Sequence, residues 1–255
     1  MKWLAELSWT EAAAERARGP IVLLPIGSTE AHGPHLPLAT DAILSEELAK
    51  RAAAALEASG RSALIAPTLG YAITEYAAAF AGTVSLSTET ATQLVTEVCA
   101  SLVAQGFERV CLVNSHLEPA HVASLKEACG RVERRTGRAV AFPDQTARRW
   151  ARTLTEEYKR GACHAGSYET SLMLAARPEL VNDAARRRLA PLPIDLAQAM
   201  KAGIRTFGEA GAPDAYFGDP AAATVEEGNA IYSLLVTMVL DTARERWPAG
   251  AVSAR

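Results

Sequence analysis

Glu30-Ala-His32-Gly-Pro-His35-Leu-Pro-Leu-Ala-Thr-Asp41 brings three candidate ligands, the carboxylates of Glu30 and Asp41 and the imidazole of His32, within twelve residues. In extended chain, side chains two apart project to the same side, so Glu30 and His32 can face one point. Asp41, at the start of a following helix, can return to that point, and its two oxygens could bridge two cations. Carboxylate and imidazole donors suit zinc, manganese or iron, and the absence of a thiolate argues against a structural zinc knot. The competing reading is that Asp41 caps its helix and His32 is a hydrogen-bonded loop histidine.

Asn114-Ser-His116-Leu117-Glu118 repeats the two-residue spacing with the order reversed, immediately after an apolar run. Glu30, His32, Asp41, His116 and Glu118 are thus five candidate ligands, a number that fits two metals sharing Asp41 and a water. Such a pair acidifies the water and polarises a substrate carbonyl. Glu118 could instead simply favour the positive end of the next helix. A third segment, Cys163-His164-Ala-Gly-Ser-Tyr168-Glu169, offers a proton donor in His164 and a carboxylate at a helix start in Glu169. A Cys163–His164 thiolate pair is the rival chemistry, disfavoured because adjacent side chains point apart.

These segments need a scaffold. Pro20 to Gly27, Ala63 to Pro67, Arg109 to Asn114 and Arg138 to Phe142 read as buried strands, alternating with helices from about Asp41 to Ser59, Thr88 to Gln105 and Ala120 to Thr136. The alternation predicts a mostly parallel sheet in a three-layer α/β/α fold. The candidate residues then fall just past strand carboxyl ends, where such sheets bind ligands. Residues 143–165 are less regular, and 191–223, rich in Pro, Gly and Ala, read as a long ordered loop. Thr224-Val-Glu-Glu227 is a capping-box pattern opening a last helix to about Trp247. No repeat or linker divides residues 1–255, which read as one domain.

The segment Leu24 to Asp41 resembles the opening motif of the creatininase (creatinine amidohydrolase) family. His164-Ala-Gly-Ser-Tyr-Glu169-Thr-Ser171 resembles its second hallmark, and Phe217-Gly-Asp-Pro220 with Thr224 and Glu226-Glu-Gly228 its C-terminal signature. The likeness runs from about residue 5 to 245. It implies a binuclear centre in which Glu30 and His116 bind one metal, His32 the other, and Asp41 bridges. It offers Glu118 as the carboxylate completing the second site, with Glu169 as the alternative. His164 matches the histidine that handles protons, and Glu169 stands beside it as a catalytic residue. A homo-oligomer, often a hexamer, is also implied. Leu117 replaces an aromatic residue of creatininase, Cys163 replaces a Glu, and only Trp150 is a counterpart to its tryptophans. Leu117, Trp150, Cys163 and Tyr168 are therefore the expected substrate-binding residues, in a pocket without creatinine's aromatic box.

A net charge of −3 carries no footprint for nucleic acid or an anionic membrane, and Arg186-Arg187-Arg188 reads as a solvated helix face. The four cysteines lack C-x-x-C spacing and read as reduced cytosolic thiols, and no signal peptide or apolar span is apparent. The expected protein is a cytoplasmic hydrolase with two divalent ions (Zn, Mn or Fe). A metal-bridged hydroxide would attack a small, possibly cyclic, amide. A formamide hydrolase, a peptidase trimming a modified peptide, a lactonase or a non-catalytic metal-binding protein are the alternatives. No G-x-G-x-x-G or P-loop supports a nucleotide binder.

Overall fold

The computed structural model describes residues 1–248. Strands β1 (Ile21–Ile26), β2 (Ala63–Ile65) and β3 (Arg109–Asn114) form a parallel sheet in the order β2-β1-β3. Ile21 pairs with Ala63 on one side and Arg109 on the other, and Ile26 pairs with Asn114. Residues 138–142 do not form the expected fourth strand. They make a single parallel bridge, Ala141 to Cys111, flanked by hydrogen bonds of 2.9 Å to Val110 and Leu112. Pro143 follows at once, and it has no amide hydrogen with which to extend the ladder.

The helices are α1 (Trp9–Ala17), α2 (Thr40–Ala58), α3 (Thr88–Ala104), α4 (Pro119–Thr136), α5 (Arg148–Ala151), α6 (Glu156–Lys159), α7 (Ser167–Ala176), α8 (Asp183–Arg186), α9 (Leu196–Lys201) and α10 (Val225–Arg246). The stretch 191–223 is therefore not loop throughout, since it contains α9 and a 3-10 turn at Pro220–Ala222. The arginine run is a solvated face only in part, since Arg187 and Arg188 are exposed but Arg186 is not. Arg186 is buried, and its guanidinium donates to the carbonyls of Pro220 and Ala221 at 3.0 Å each.

Side chains alternate across the sheet and divide the core in two. Ile21, Leu23, Ile65 and Val113 pack with α2, α7 and α10; Val22, Leu24, Leu64 and Leu112 pack with α3 and α4. Helix α2 leads from β1 to β2 on one face, and α3 carries the chain back to β3 on the other. The chain leaves the neighbouring strands β1 and β3 through α2 and α4, which lie on opposite faces, so a crevice opens beyond their carboxyl ends. Gly27 lets this end approach α2 closely: a Cβ there would overlap the backbone of Asp41 and Ala42. A smaller cluster, including Leu196, Phe207 and Phe217, lies under the loops at that end. Among the described residues no helix is long and apolar enough to cross a membrane, and the four cysteines are free.

Candidate metal centre

Asp41 stands in the first turn of α2, but its carboxylate does not cap that helix, whose N-cap Ala39 has no side-chain bond. Its oxygens instead divide between two histidines. Oδ1 lies 3.3 Å from Nε2 of His32, and Oδ2 lies 3.0 Å from Nδ1 of His116. Ser28 Oγ donates to Oδ2 at 2.7 Å and steadies it. Glu30 Oε1 is 3.4 Å from His116 Nδ1 and 3.8 Å from both His32 Nε2 and His164 Nδ1. Glu30's other oxygen accepts from Thr74 Oγ1. Glu169 Oε2 lies 3.5 Å from His32 Nε2. Three compact donor sets result: Glu30, Asp41 and His116; His32, Asp41 and Glu169; and Glu30, His32 and His164.

Each histidine is oriented by the nitrogen that faces away from the cluster. Nδ1 of His32 is 3.1 Å from Glu30 O, Nε2 of His116 is 2.7 Å from Ile73 O, and Nε2 of His164 is 3.0 Å from Ala31 O. A backbone carbonyl accepts only from N–H, so each of these nitrogens carries a proton and the other ring nitrogen faces the cluster, free to take a second proton or to bind a cation. His32 Nε2 is buried without a hydrogen-bond partner. A buried polar atom in that condition, ringed by carboxylate oxygens, fits a cation ligand.

The electrostatics say the same. Burial alone would lower His32, yet Asp41, Glu169 and Glu30 outweigh it and raise it to about 10. Burial likewise opposes a charged His116, and Glu30 and Asp41 hold it well above its ordinary value. With no cation, protons on these rings balance the carboxylates; a divalent ion would replace them. Burial pushes Glu169 up to about 8 against the pull of His32, and lowers His164 to about 4 with help from His32.

Helix α7 delivers Glu169, and residues far along the chain fix α7. Its N-cap, Gly166, has no side chain to offer, so Glu157 of α6 supplies the carboxylate. Glu157 accepts from the amides of Ser167 (3.0 Å), Tyr168 (2.7 Å) and Asp219 (2.7 Å). Gly218 has φ +70°, and a Cβ there would overlap the Glu157 carboxylate. Glu227 was expected to complete a capping box. Thr224 Oγ1 does accept from its amide at 3.1 Å, but the Glu227 carboxylate turns away to Ser167 and Ser171, 2.7 Å each. The C-terminal signature is thus a brace for α7. Between His164 and α7, Ala165 takes φ +50°, and its amide donates to Glu169 Oε2 at 2.7 Å.

The Creatininase family model, described as creatinine amidohydrolase, matches residues 5–242. This chain belongs to the creatininase family. Among relatives, it is 32% identical to the mycofactocin precursor peptide peptidase of Mycobacterium tuberculosis (strain ATCC 25618 / H37Rv), over 91% of this chain and 88% of the other. It is 27% identical to the creatinine amidohydrolase of Pseudomonas putida, over 96% and 97%. A zinc–zinc form of a mutant creatininase aligns with a TM-score of 0.74 at 25% identity, covering 96% of this chain and 98% of that one. A manganese creatininase gives 0.72 at 27%, with the same coverage. The chain is a creatininase-family hydrolase with an open α/β fold.

Within this fold the donor sets open into a cavity of about 690 Å³. Glu30, Asp41, His116, His164 and Glu169 reach its surface, and so does Glu118. Glu118 belongs to none of the three donor sets. Its carboxylate accepts from the amides of Glu75 (3.2 Å) and Tyr76 (3.4 Å), which hold it in the wall, and burial pushes it up to about 7. Leu117 and Cys163 line the cavity. Burial keeps the Cys163 thiol well above its ordinary value, which disfavours a thiolate. Trp150 and Tyr168 are not in the lining. Trp150 packs at the core's edge under the Arg149 guanidinium, and Tyr168 is buried with its hydroxyl on Gln145 Oε1 at 3.0 Å. The pocket is not short of aromatics either, because Tyr76, Tyr158 and Phe207 supply them. Sequence reasoning missed all three. Tyr76 lies in a post-strand segment that could have been searched, while Phe207 carries no motif and stacks 4.5 Å from the His164 ring.

Proposed function

We propose that this chain acts as one catalytic domain, a two-metal amidohydrolase that cleaves a C–N bond in a short, peptide-like substrate. The observation that carries the metal count is the division of Asp41, one oxygen toward His32 and the other toward His116. Glu30, Asp41 and His116 would hold one divalent ion; His32, Asp41 and Glu169 would hold the second. Zinc, manganese and iron all accept such donors. Two ions there would acidify a water and polarise the substrate carbonyl. Glu118 stands in the wall with a carboxyl poised near neutrality, suited to take up a proton. His164 rests on Ala31 O through one nitrogen and turns the other, unprotonated, toward Glu30, where it would take up a proton released by the attacking water and hand it to the leaving nitrogen.

Cavity size supports a substrate larger than a single small ring, since pockets of 300–1,000 Å³ suit roughly drug-sized ligands. The peptidase name of one relative points the same way. The test is to strip the protein with a chelator and restore Zn or Mn stepwise. Ions bound per chain are then measured beside turnover of creatinine, a formamide and short peptides. The reading expects activity to require two ions and peptides to be the best substrates. Full activity without metal, or saturation at one ion, would count against the metal assignment. Faster turnover of creatinine would return the substrate to small cyclic amides.

A further inference from the structure

Two cations in the cavity wall have no part in the chemistry above. Lys201 is the last residue of α9, Arg205 follows four residues later, and both line the cavity. Their segment is fixed on either side. Asp195 caps α9 by accepting from the Gln198 amide at 2.8 Å, and the Leu196 amide donates to Gly161 O at 3.0 Å. Beyond Arg205, the Phe207 amide donates to Tyr76 O at 3.1 Å, and the Phe207 ring packs on His164. The two cations are therefore held over the same crevice as the donor sets.

Arg131, Arg138, Arg149, Lys159 and Arg187 each pair with a carboxylate. Lys201 and Arg205 have no carboxylate partner among the described residues, and unlike the other arginines and lysines without one they line the cavity. Glu209, the acidic residue nearest Arg205 in sequence, directs Oε2 to the backbone amide of Arg205. Apart from the donor residues and Glu118, the cavity wall is largely apolar, with Leu117, Leu196, Met200 and Phe207. Such a wall matches a ligand that is apolar along its length and anionic at one end. A guanidinium offers two parallel N–H donors matched to the two oxygens of a carboxylate, and an ammonium adds a point charge.

We propose that Lys201 and Arg205 form a subsite for the terminal carboxylate of a short peptide whose scissile amide lies over Glu30, Asp41 and His116. The proposal deepens the amidohydrolase reading above and rests on it. Both cations are exposed; their contact with substrate acts through binding, in KM rather than kcat.

The test compares metal-loaded wild type with the K201M/R205M double variant. The probes are N-acetyl-Ala-Phe and its C-terminal amide, with binding measured by isothermal titration calorimetry. Wild type should bind the acid about tenfold more tightly than the amide, the size of one charge-assisted hydrogen bond. The double variant should bind both about equally, with unchanged metal content and melting temperature. Equal binding of acid and amide by wild type, or a preference that survives in the double variant, overturns the subsite. Because the readout is binding, it stays separate from turnover. Failure of every peptide to be hydrolysed would remove the peptidase reading, whereas hydrolysis without acid preference would remove only this one.

Discussion

Replacing Glu169 by Gln, with Glu118→Gln beside it, tests which carboxylate completes the second donor set. Glu169 Oε2 is 3.5 Å from His32 Nε2, whereas Glu118 is tied to the amides of Glu75 and Tyr76. Losing an outer partner of a metal ligand typically costs 10–100-fold in affinity, so losing a direct anionic ligand should cost at least about 100-fold. With free metal at about 1,000 times Kd, an ion stabilises the wild-type fold by about 4.1 kcal/mol; a 100-fold weaker site retains about 1.4. The difference, about 2.7 kcal/mol, corresponds to a melting temperature about 5–10 °C lower in a chain of this size. Without metal, E169Q should melt close to wild type, since the amide oxygen can still accept from Ala165 N–H. The assay is melting with and without metal, joined to atomic absorption. With free metal lowered to about ten times the wild-type Kd for the ion count, E169Q should hold close to one ion per chain and E118Q close to two, with E118Q impaired in turnover. Two ions in E169Q and one in E118Q would refute the reasoning and return Glu118 to the ligand set.

Other consequences can be checked independently. Substituting His164 by Ala should lower kcat by about 10²–10⁴ and leave two ions per chain; loss of an ion instead would make His164 a ligand, as the 3.8 Å from its Nδ1 to Glu30 allows. G27A should force β1 and α2 apart at Asp41, lowering the denaturant midpoint by the equivalent of about 1–3 kcal/mol and reducing metal content; an unchanged midpoint would mean the contact is not tight. Burial, aided by the charges of His32 and Arg186, holds His35 at about 4, while the unfolded chain titrates it near 6.5. The unfolded state binds the extra proton between those values, so stability falls as pH drops through this window, by roughly 3 kcal/mol. Metal-free H35Q should lack that loss relative to metal-free wild type in urea titrations at pH 7.5 and 4, and parallel pH profiles would refute the assignment.

The residues proposed as ligands were legible because most of them hang on local features. Glu30, His32 and Asp41 belong to one segment between an apolar strand and its helix, and His116 stands two residues past another strand. Strand ends place such residues at the crevice whatever the rest of the chain does. The choice between Glu118 and Glu169 was not legible. It depends on the left-handed turn at Ala165 and on the amides of Glu75 and Tyr76, neither of which spacing reveals. Arg186 misled for a similar reason: a run of arginines looks solvated until the carbonyls of Pro220 and Ala221 are seen to need a donor. Glu227 fits a local capping pattern, yet it is used in tertiary structure, on Ser167 and Ser171.

The same contrast separates chemistry from specificity in this molecule. The cavity wall comes partly from 196–207, whose path is set by contacts to Gly161 and Tyr76. No periodicity or motif marks Phe207, Lys201 or Arg205, because nothing local depends on them. A segment held by a few long-range hydrogen bonds can change its side chains without disturbing β1, α2 or the donor sets. Members of one family can in this way keep one metal-binding frame and read different amides. Trp150 illustrates the point: it was the only counterpart to creatininase's tryptophans in the sequence, but its place is against the core's edge, and Tyr76, Tyr158 and Phe207 supply the aromatic surface instead. Substrate choice in this chain is therefore to be sought on α9 and the turn that follows it.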